Sequence, residues 1–304
     1  MYNRASRLQE DDTLMIRSIL VICLVAALMP GVRAEVEPNA EAVEAYNAFV
    51  EAHQAQDAAK AEAALKKAKA AQADWSKPCL ELGKLYIDQK QYAAATKELT
   101  EAVRLDPGNA EGHLFLGQSL VSQEVYSKAY PELEKALELD PSLHEAHKLL
   151  GSAYDEDGDY AKAQACYTAY TAAVPGDANA FMLLAQVNKK LGKRSAAVAA
   201  YKSAIKADPK LATAHFNLGN LYLEGEDFSD AEACFAQTAK LEPNNVSAYY
   251  NLAIALHSQG ELEKALAQYE KVIQVGSGQK GAAGAVKQAR EVIPALKEQI
   301  AAGN

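Results

Sequence analysis

A strict 34-residue repeat constrains the fold of most of this 304-residue chain. Leu followed by Gly or Ala recurs at that step without a slip, at Leu82-Gly83, Leu116-Gly117, Leu150-Gly151, Leu184-Ala185, Leu218-Gly219 and Leu252-Ala253. Three further series keep the same step. The small series is Ala95, Ala129, Ala163, Ala197, Ala231 and Ala265, the bulky series is Leu99, Leu133, Tyr167, Tyr201, Phe235 and Tyr269, and the proline series is Pro107, Pro141, Pro175, Pro209 and Pro243. Such a period is typical of architectures in which each unit buries its apolar face only by stacking on its neighbours.

Each unit contains the signals for two helices. A proline cannot continue a helix and restricts the residue before it, so the proline series marks the end of each second helix. Two residues later, side chains suited to N-capping begin the next helix, at Asn109, Asp177 and Asn245. Glycines near the middle separate the two helices, at Gly158, Gly192 and Gly260. We expect the small residues to let helix backbones approach closely and the bulky series to fill the space between neighbouring units.

This pattern resembles the tetratricopeptide repeat (TPR), whose signature contains L-G-x-x-Y, then A-x-x-x-F, then P. The third unit matches best, with Leu150-Gly151-Ser152-Ala153-Tyr154 followed by Ala163, Tyr167 and Pro175. The resemblance covers residues 76–279. It implies an all-α fold, a right-handed α-solenoid (superhelix) of tandem helix-turn-helix TPR units, with a concave groove lined by the first helix of each unit.

The repeat predicts a central array with different ends. The six predicted units are 76–109, 110–143, 144–177, 178–211, 212–245 and 246–279. Residues 35–75 have helical periodicity but place Phe49 where the Gly would be and Ala73 where the Pro would be, which indicates a degenerate N-terminal helix pair, or cap. Residues 280–304 predict a C-terminal capping helix over 283–301, bent at Pro294. Terminal units are expected to be atypical because one face meets water.

Residues 1–34 have the pattern of an N-terminal extension and signal peptide. Arg17 precedes an apolar run from Ile19 to Met29, and small residues follow up to Ala34. The run is shorter than the roughly 20 apolar residues that a membrane span needs. We therefore expect an exported protein, periplasmic or secreted, with an uncleaved membrane anchor as the alternative. Both Met1 and Met15 are candidates for the start of translation.

The charge balance disfavours two classes of partner. The formal net charge is -9, from 31 Lys and Arg against 40 Asp and Glu, and no basic run is present. Nucleic-acid binding draws most of its affinity from neutralising phosphates, so we expect no nucleic-acid partner. Docking on an anionic membrane surface is disfavoured for the same reason.

Two patterns suggest site chemistry, and each has a structural interpretation that we favour. Residues 276–281 match G-x-G-x-x-G, but a dinucleotide site needs a strand before the motif, and here a helix is predicted, so we interpret it as a flexible joint. His144 and His147 could begin a metal site. However, His147 shares a repeat position with Cys79, His113, Phe181, His215 and Tyr249. The resemblance implies a packing residue there, so we expect half-buried histidines.

The cysteines are predicted to be unpaired core residues. Cys166 and Cys234 occupy one repeat position two units apart, and Cys79 occupies another. Neighbouring helix axes are already about 8–10 Å apart, whereas a disulfide needs Cα atoms within about 7 Å. No grouping for nucleophilic catalysis is evident, so we expect no enzymatic activity, no cofactor and no metal.

A predicted partner site lies on the first helices of the fifth and sixth units. Asn217 and Asn220 lie three residues apart on one helix face, and Asn251 repeats Asn217 one unit later. The resemblance implies that Asn at such positions binds the backbone of an extended peptide, for which its side chain has a donor and an acceptor. Phe216 and Tyr250 flank the Asn row as apolar anchors. The other predicted groove residues are Gln186, Lys148 and Lys189. The alternative is that these residues only form a solvated inner face.

These observations predict a non-catalytic protein–protein interaction scaffold or adaptor. It would hold an extended segment or a helix of a partner polypeptide in the concave groove, in the bacterial cell envelope. One alternative is an accessory subunit in the processing of peptidoglycan or another envelope polymer, with glycan-binding activity. Its one hint is the carboxylate pair Asp155 and Glu156, whose directions on a helix differ by about 100°. Another is a spacer that self-assembles by end-to-end stacking.

Overall fold

The computed structural model describes residues 36–303, so the predicted signal peptide lies outside the described residues. Within this range the chain forms fifteen α-helices and no strand, which confirms the predicted all-α solenoid of helix pairs. The helices are α1 (Ala40–Gln54), α2 (Ala58–Ala71), α3 (Ser76–Asp88), α4 (Tyr92–Leu105), α5 (Ala110–Val121), α6 (Tyr126–Leu139), α7 (His144–Glu156), α8 (Tyr160–Ala173), α9 (Ala178–Lys190), α10 (Arg194–Ala207), α11 (Ala212–Glu224), α12 (Phe228–Leu241), α13 (Val246–Ser258), α14 (Leu262–Gly276) and α15 (Ala283–Gly303). None of these helices is both long and apolar enough to span a membrane.

Contacts divide the chain into two compact units, with the boundary between Ala153 and Tyr154. In the first unit the pairs α1/α2, α3/α4 and α5/α6 form hairpins, and α2 and α4 pack on the first helix of the following hairpin. In the second unit α9/α10, α11/α12 and α13/α14 form hairpins, and α10 and α12 pack on the following first helix. Within each unit, every described hairpin is therefore buried against its neighbour along the chain.

The helix starts follow the capping residues that the sequence predicts. Asn109 Oδ1 accepts a hydrogen bond at 2.9 Å from the amide three residues later, and Asp177 and Asn245 do the same at 3.0 Å. Each cap satisfies one of the amides that a helix N-terminus leaves without an intrahelical partner. The three predicted N-caps are confirmed.

The turn inside each hairpin uses one residue with positive φ. The predicted glycines adopt it, with φ of 80° at Gly158, 70° at Gly192 and 78° at Gly260. Four other residues adopt it without being glycine: Gln56, Lys90, Glu124 and Glu226, with φ between 56° and 60°. Gln56 precedes Lys90 by one repeat step. The helix pair α1/α2 therefore turns in the same register as the later hairpins, although the sequence marks it as degenerate.

The bulky series on each second helix packs on the Gly or Ala that follows Leu on the first helix of its own hairpin. A Cβ atom added at Gly83 would overlap Leu99, and one at Gly219 would lie 2.8 Å from Phe235. The sequence analysis expected the bulky residues to fill the space between neighbouring units, whereas Leu99 and Phe235 also fill space inside their own hairpins. Because the two helices approach closely at the small residue, the bulky side chain fills the space between the two helices of its hairpin. In α1, where Phe49 takes the small position, its ring is buried.

The last helix covers the end of the array. Helix α15 packs on α14 and α13, and its buried side chains are Val286, Ala289 and Leu296. It extends two residues beyond the predicted end and contains Pro294. This packing gives α14 the apolar cover that a following repeat would otherwise supply.

Glycine and non-glycine turn residues should respond in opposite ways to substitution. Glu226→Gly removes a left-handed strain of about 1–2 kcal/mol, and greater freedom of the unfolded chain offsets about 0.4–1 kcal/mol. We expect a net stabilisation of up to about 1 kcal/mol. Gly260→Ala adds a Cβ in open space and should destabilise by about 1 kcal/mol through backbone strain alone. Urea unfolding followed by circular dichroism measures both midpoints. Ala236→Gly, on the exposed face in the interior of α12, is the control and should destabilise by about 1 kcal/mol. An equal loss for Glu226→Gly would contradict turn strain.

Candidate functional site

The predicted site residues lie on first helices, and all except Lys148 belong to the second contact unit. Phe216, Asn217, Asn220, Tyr250 and Asn251 are half-buried, and Gln186 and Lys189 are exposed. Helix α11 contacts α13 directly. We call the surface formed by Asn217, Asn220 and Asn251 the amide row.

Two members of the amide row bind each other. Asn251 Nδ2 on α13 donates a hydrogen bond to Asn220 Oδ1 on α11 at 2.9 Å. Each amide has more hydrogen-bonding capacity than this one bond uses, since Asn251 Oδ1 and Asn220 Nδ2 make no other bond within residues 36–303. The Asn217 side chain makes no hydrogen bond within the same range. The row thus presents fixed but unsaturated donors and acceptors.

The aromatic neighbours of the amide row are held by the buried bulky series. The Phe216 ring meets Phe235 edge to face with centroids 5.7 Å apart, and Tyr250 meets Tyr269 in the same way at 6.0 Å. Burial, with a smaller contribution from Tyr250, raises the pKa of Tyr269 to about 12, so its hydroxyl stays protonated at neutral pH. Phe216 and Tyr250 are therefore rigid partly exposed rings, and part of their surface belongs to the core.

Ion pairs link neighbouring first helices at their C-terminal ends. Lys189 Nζ lies 2.6 Å from Glu224 Oε1, and Lys190 Nζ lies 2.6 Å from Asp155 Oδ1. The Lys189 pair is about half exposed on both sides, so its contribution to stability is small. Asp155 is mostly buried and is paired with Lys190. Its carboxylate is therefore not available to act with Glu156 in the way that glycan processing would need.

Lys148 is the one predicted site residue that belongs to the first contact unit. It lies on the part of α7 in the first contact unit, where its Nζ is 3.4 Å from Glu145 Oε1 of the same helix. We therefore describe the candidate site by its residues in the second unit, and Lys148 stays a prediction.

The repeated histidines are engaged in packing, as expected. His113 Nδ1 lies 2.6 Å from Glu132 Oε2, and its Nε2 lies 3.2 Å from the Pro107 carbonyl. Both neighbours accept hydrogen bonds, so the imidazolium fits best, and the Glu132 hydrogen bond raises the pKa of His113 against the opposing effect of burial. Burial lowers the pKa of His147. Within residues 36–303, no group of His, Cys, Asp and Glu is arranged to hold a metal.

The three cysteines among residues 36–303 form no disulfide, as predicted. Cys79 is buried, and Cys166 and Cys234 are half-buried. Burial raises the pKa of the Cys79 and Cys234 thiols to about 11, so neither forms the thiolate that a nucleophile needs at neutral pH. The glycine-rich segment 276–281 follows helix α14 rather than a strand, which does not fit a dinucleotide site.

One concave feature was missed by the sequence analysis. A pocket of about 490 Å³ opens in the first contact unit beside the starts of α3 and α5, and Trp75 forms part of its wall. The available signal was that the chain's single tryptophan stands at the repeat position where Asn109, Asp177 and Asn245 cap helices. Trp75 makes no capping hydrogen bond.

Comparisons with family models and solved structures agree on the repeat type. Two models described as tetratricopeptide repeat match residues 80–144 with 216–285, and 120–187. A third, described as TPR repeat, matches residues 185–225. None of the curated protein sequences matches this chain.

Several solved TPR structures share the fold. The C-terminal part of a TPR repeat-containing protein from Cytophaga hutchinsonii has a TM-score of 0.67 at 14% identity, over 81% of this chain and 99% of that one. A tetratricopeptide repeat protein from Parabacteroides merdae has a TM-score of 0.56 at 16% identity, over 83% and 100%. YrrB, described as a TPR protein with an unusual peptide-binding site, has a TM-score of 0.54 at 24% identity, over 62% and 97%. At these identities the likeness shows the fold alone.

The bond inside the amide row should appear as a coupling energy. A hydrogen bond between half-buried amides contributes about 0.5–1.5 kcal/mol. A double-mutant cycle of Asn220→Ala and Asn251→Ala, measured by urea unfolding, should therefore give a coupling of that size. The control cycle pairs Asn217→Ala with Asn251→Ala, whose side chains share no hydrogen bond, and should be additive. Equal coupling in both cycles would contradict a specific Asn220–Asn251 bond.

Proposed function

Because this chain belongs to the tetratricopeptide repeat family, we propose that it is a non-catalytic scaffold that binds an extended segment of a partner protein along the amide row. The TPR fold supports a role in protein–protein interaction, and the site and the form of the ligand are our proposal.

The observation that carries this proposal is the hydrogen bond between Asn251 and Asn220. It fixes the orientation of two amides on adjacent first helices while leaving Asn251 Oδ1 and Asn220 Nδ2 without other bonds in the described residues. The backbone of an extended peptide presents a donor and an acceptor at every residue other than proline. Oriented amides can bind such a backbone whatever its side chains, and their fixed geometry lowers the entropy lost on binding.

The surroundings of the amide row favour a ligand with apolar side chains. The rings of Phe216 and Tyr250 pack against the buried bulky series, so these anchors are already positioned in the unbound protein. Partly exposed, rigid aromatic rings are the residue type that dominates binding energy at interfaces. The ion pair between Lys189 and Glu224 can contact the ligand but neutralises its own charges, which supports sequence-tolerant rather than charge-selective binding.

The comparison with YrrB supports the kind of partner but not its identity. YrrB is described as a TPR protein with an unusual peptide-binding site. Because a likeness at 24% identity shows only the fold, the proposed peptide binding rests on the amide row.

The binding proposal is tested by panning a library of displayed peptides against the chain and measuring the selected peptide by calorimetry. Asn217→Leu combined with Asn251→Leu should weaken binding about tenfold, because amide hydrogen bonds of about 0.5–1.5 kcal/mol each are lost. Leucine is a suitable replacement since Leu183 occupies the same repeat position in α9.

The matched control for this test is Asn244→Leu, the same exchange at an exposed position of the second contact unit, between α12 and α13. It should leave the affinity unchanged. Equal affinity of the double Leu variant and the unaltered chain, with both folded by circular dichroism, would refute the amide row as the site.

We also propose that the protein acts after export, in the periplasm or outside the cell. The support is the basic and apolar pattern of residues 1–34 followed by small residues. Fractionation of a bacterium expressing the full chain, followed by N-terminal sequencing, should give a periplasmic or secreted product that begins at Glu35. A membrane-bound product that keeps the apolar run would instead support the anchor alternative.

A further inference from the structure

A pocket in the first contact unit has features of a ligand site that the amide row does not explain. Its wall is formed by residues 36–38, by Asp74 and Trp75 with the start of α3, and by residues around the start of α5. We call it the N-terminal pocket. Its volume of about 490 Å³ is that of a small ligand or one or two side chains.

Carboxylates dominate the charge of the N-terminal pocket. Its lining contains five of them: Glu37, Asp74, Glu81, Asp106 and Glu111. Two ammonium groups lie close to these carboxylates. Lys77 is in the lining, and Lys84 pairs with Glu111 at 2.9 Å and with Glu81 at 3.5 Å. The N-termini of α3 and α5 add a partial charge of about +0.5 each. The balance remains negative by about two charges, so the field favours a cation.

Aromatic faces next to these carboxylates already hold cations of the chain itself. Lys77 Nζ lies 5.0 Å from the centroid of the Tyr46 ring, and Lys84 Nζ lies 5.2 Å from that of Phe115. Tyr46 in turn contacts Trp75, with ring centroids 5.2 Å apart. Trp is the strongest of the aromatic residues in cation–π contacts. An aromatic face beside a carboxylate is therefore the recurring cation-holding arrangement of this surface.

An exposed apolar stripe continues from this aromatic pair. Val43, Tyr46 and Val50 share one face of α1, since they lie at helical spacing. Val43 and Val50 are 37% and 38% exposed, and Val36 in the pocket wall is 37% exposed. These are three of the four exposed large hydrophobic residues among residues 36–303. The other, Leu139, lies on α6. The stripe is an apolar surface beside an acidic pocket.

The charge at the pocket also reaches the Tyr46 hydroxyl. Burial is the main reason why the pKa of Tyr46 rises to about 12, and the carboxylates of Glu81 and Glu111 raise it further. The same field that disfavours a phenolate there would stabilise a bound ammonium or guanidinium group.

We propose that the N-terminal pocket binds a Lys or Arg side chain of a partner peptide, with the apolar neighbours of that side chain on Val43 and Val50. A guanidinium group can stack on the Trp75 ring while it donates to the carboxylates of Glu81 and Glu111. This site shares no residue with the amide row, and it selects its ligand by charge. A scaffold with both sites would recognise one basic position and tolerate variation elsewhere.

Trp75 supplies the signal for the test, because it is the only tryptophan in the chain. The probe is N-acetyl-Leu-Arg-Leu amide, and its control replaces arginine with citrulline, which has the same shape but no charge. We expect the arginine peptide to change Trp75 emission saturably and the citrulline peptide to bind at least tenfold more weakly. Added salt should weaken the arginine peptide selectively.

Two variants with opposite expected effects make this test specific. Glu81→Gln with Glu111→Gln should weaken the arginine peptide at least fivefold, whereas Lys77→Gln should strengthen it, because the competing ammonium leaves the Tyr46 ring. Glu263→Gln with Glu298→Gln makes the same charge change in the second contact unit and is the control. Asn217→Leu with Asn251→Leu should bind the arginine peptide normally, so failure of the amide row and failure of this site are distinguishable.

Three results would overturn the proposal. Equal binding of the citrulline peptide would mean that the surface takes an uncharged apolar ligand. Emission that changes with protein concentration in the absence of peptide would mean that a second copy of the chain covers it. Affinity unchanged in both the Glu81/Glu111 and Lys77 variants, with intact circular dichroism, would mean that these charges do not form a site.

Discussion

The contact between a small residue on the first helix and a bulky residue on the second helix sets the geometry of each hairpin. At Gly83 and Gly219 any side chain would collide with Leu99 or Phe235, so the helices sit as close as their backbones allow. This contact also positions the binding face. Phe216 rests edge to face on Phe235, the same ring that fills the space above Gly219. A surface residue is thus held in place by the packing inside its hairpin.

The sequence predicted well those features that depend on local chemistry at a fixed spacing. Asn109 and Asn245 cap helices because the oxygen of a short side-chain amide can accept a hydrogen bond from the backbone amide three residues later. Gly192 adopts positive φ because it has no Cβ atom to clash with the backbone. Lys90 was not predicted at the equivalent turn, since no propensity marks a lysine for a left-handed conformation. The repeat step alone would have indicated it.

Features that depend on which residues meet across neighbouring units were predicted less well. The amide row was predicted as a stripe, but the bond between Asn220 and Asn251 joins positions 31 residues apart, off the strict repeat step. The pairing of Asp155 with Lys190 likewise spans 35 residues and removed a carboxylate that the sequence left free. Such diagonal contacts depend on how adjacent helices are staggered. The period of a repeat gives its register but not that stagger.

The left-handed turns have a consequence for how such a chain can change over time. A Cβ atom added at Gly158, Gly192 or Gly260 would touch nothing within 4 Å, and the equivalent turns already carry Gln56, Lys90, Glu124 and Glu226. Exchanges at these seven places alter backbone strain without reshaping the chemistry of the helix faces. Evolution can therefore tune the stability of the array at these turns while the residues that contact a ligand stay unchanged.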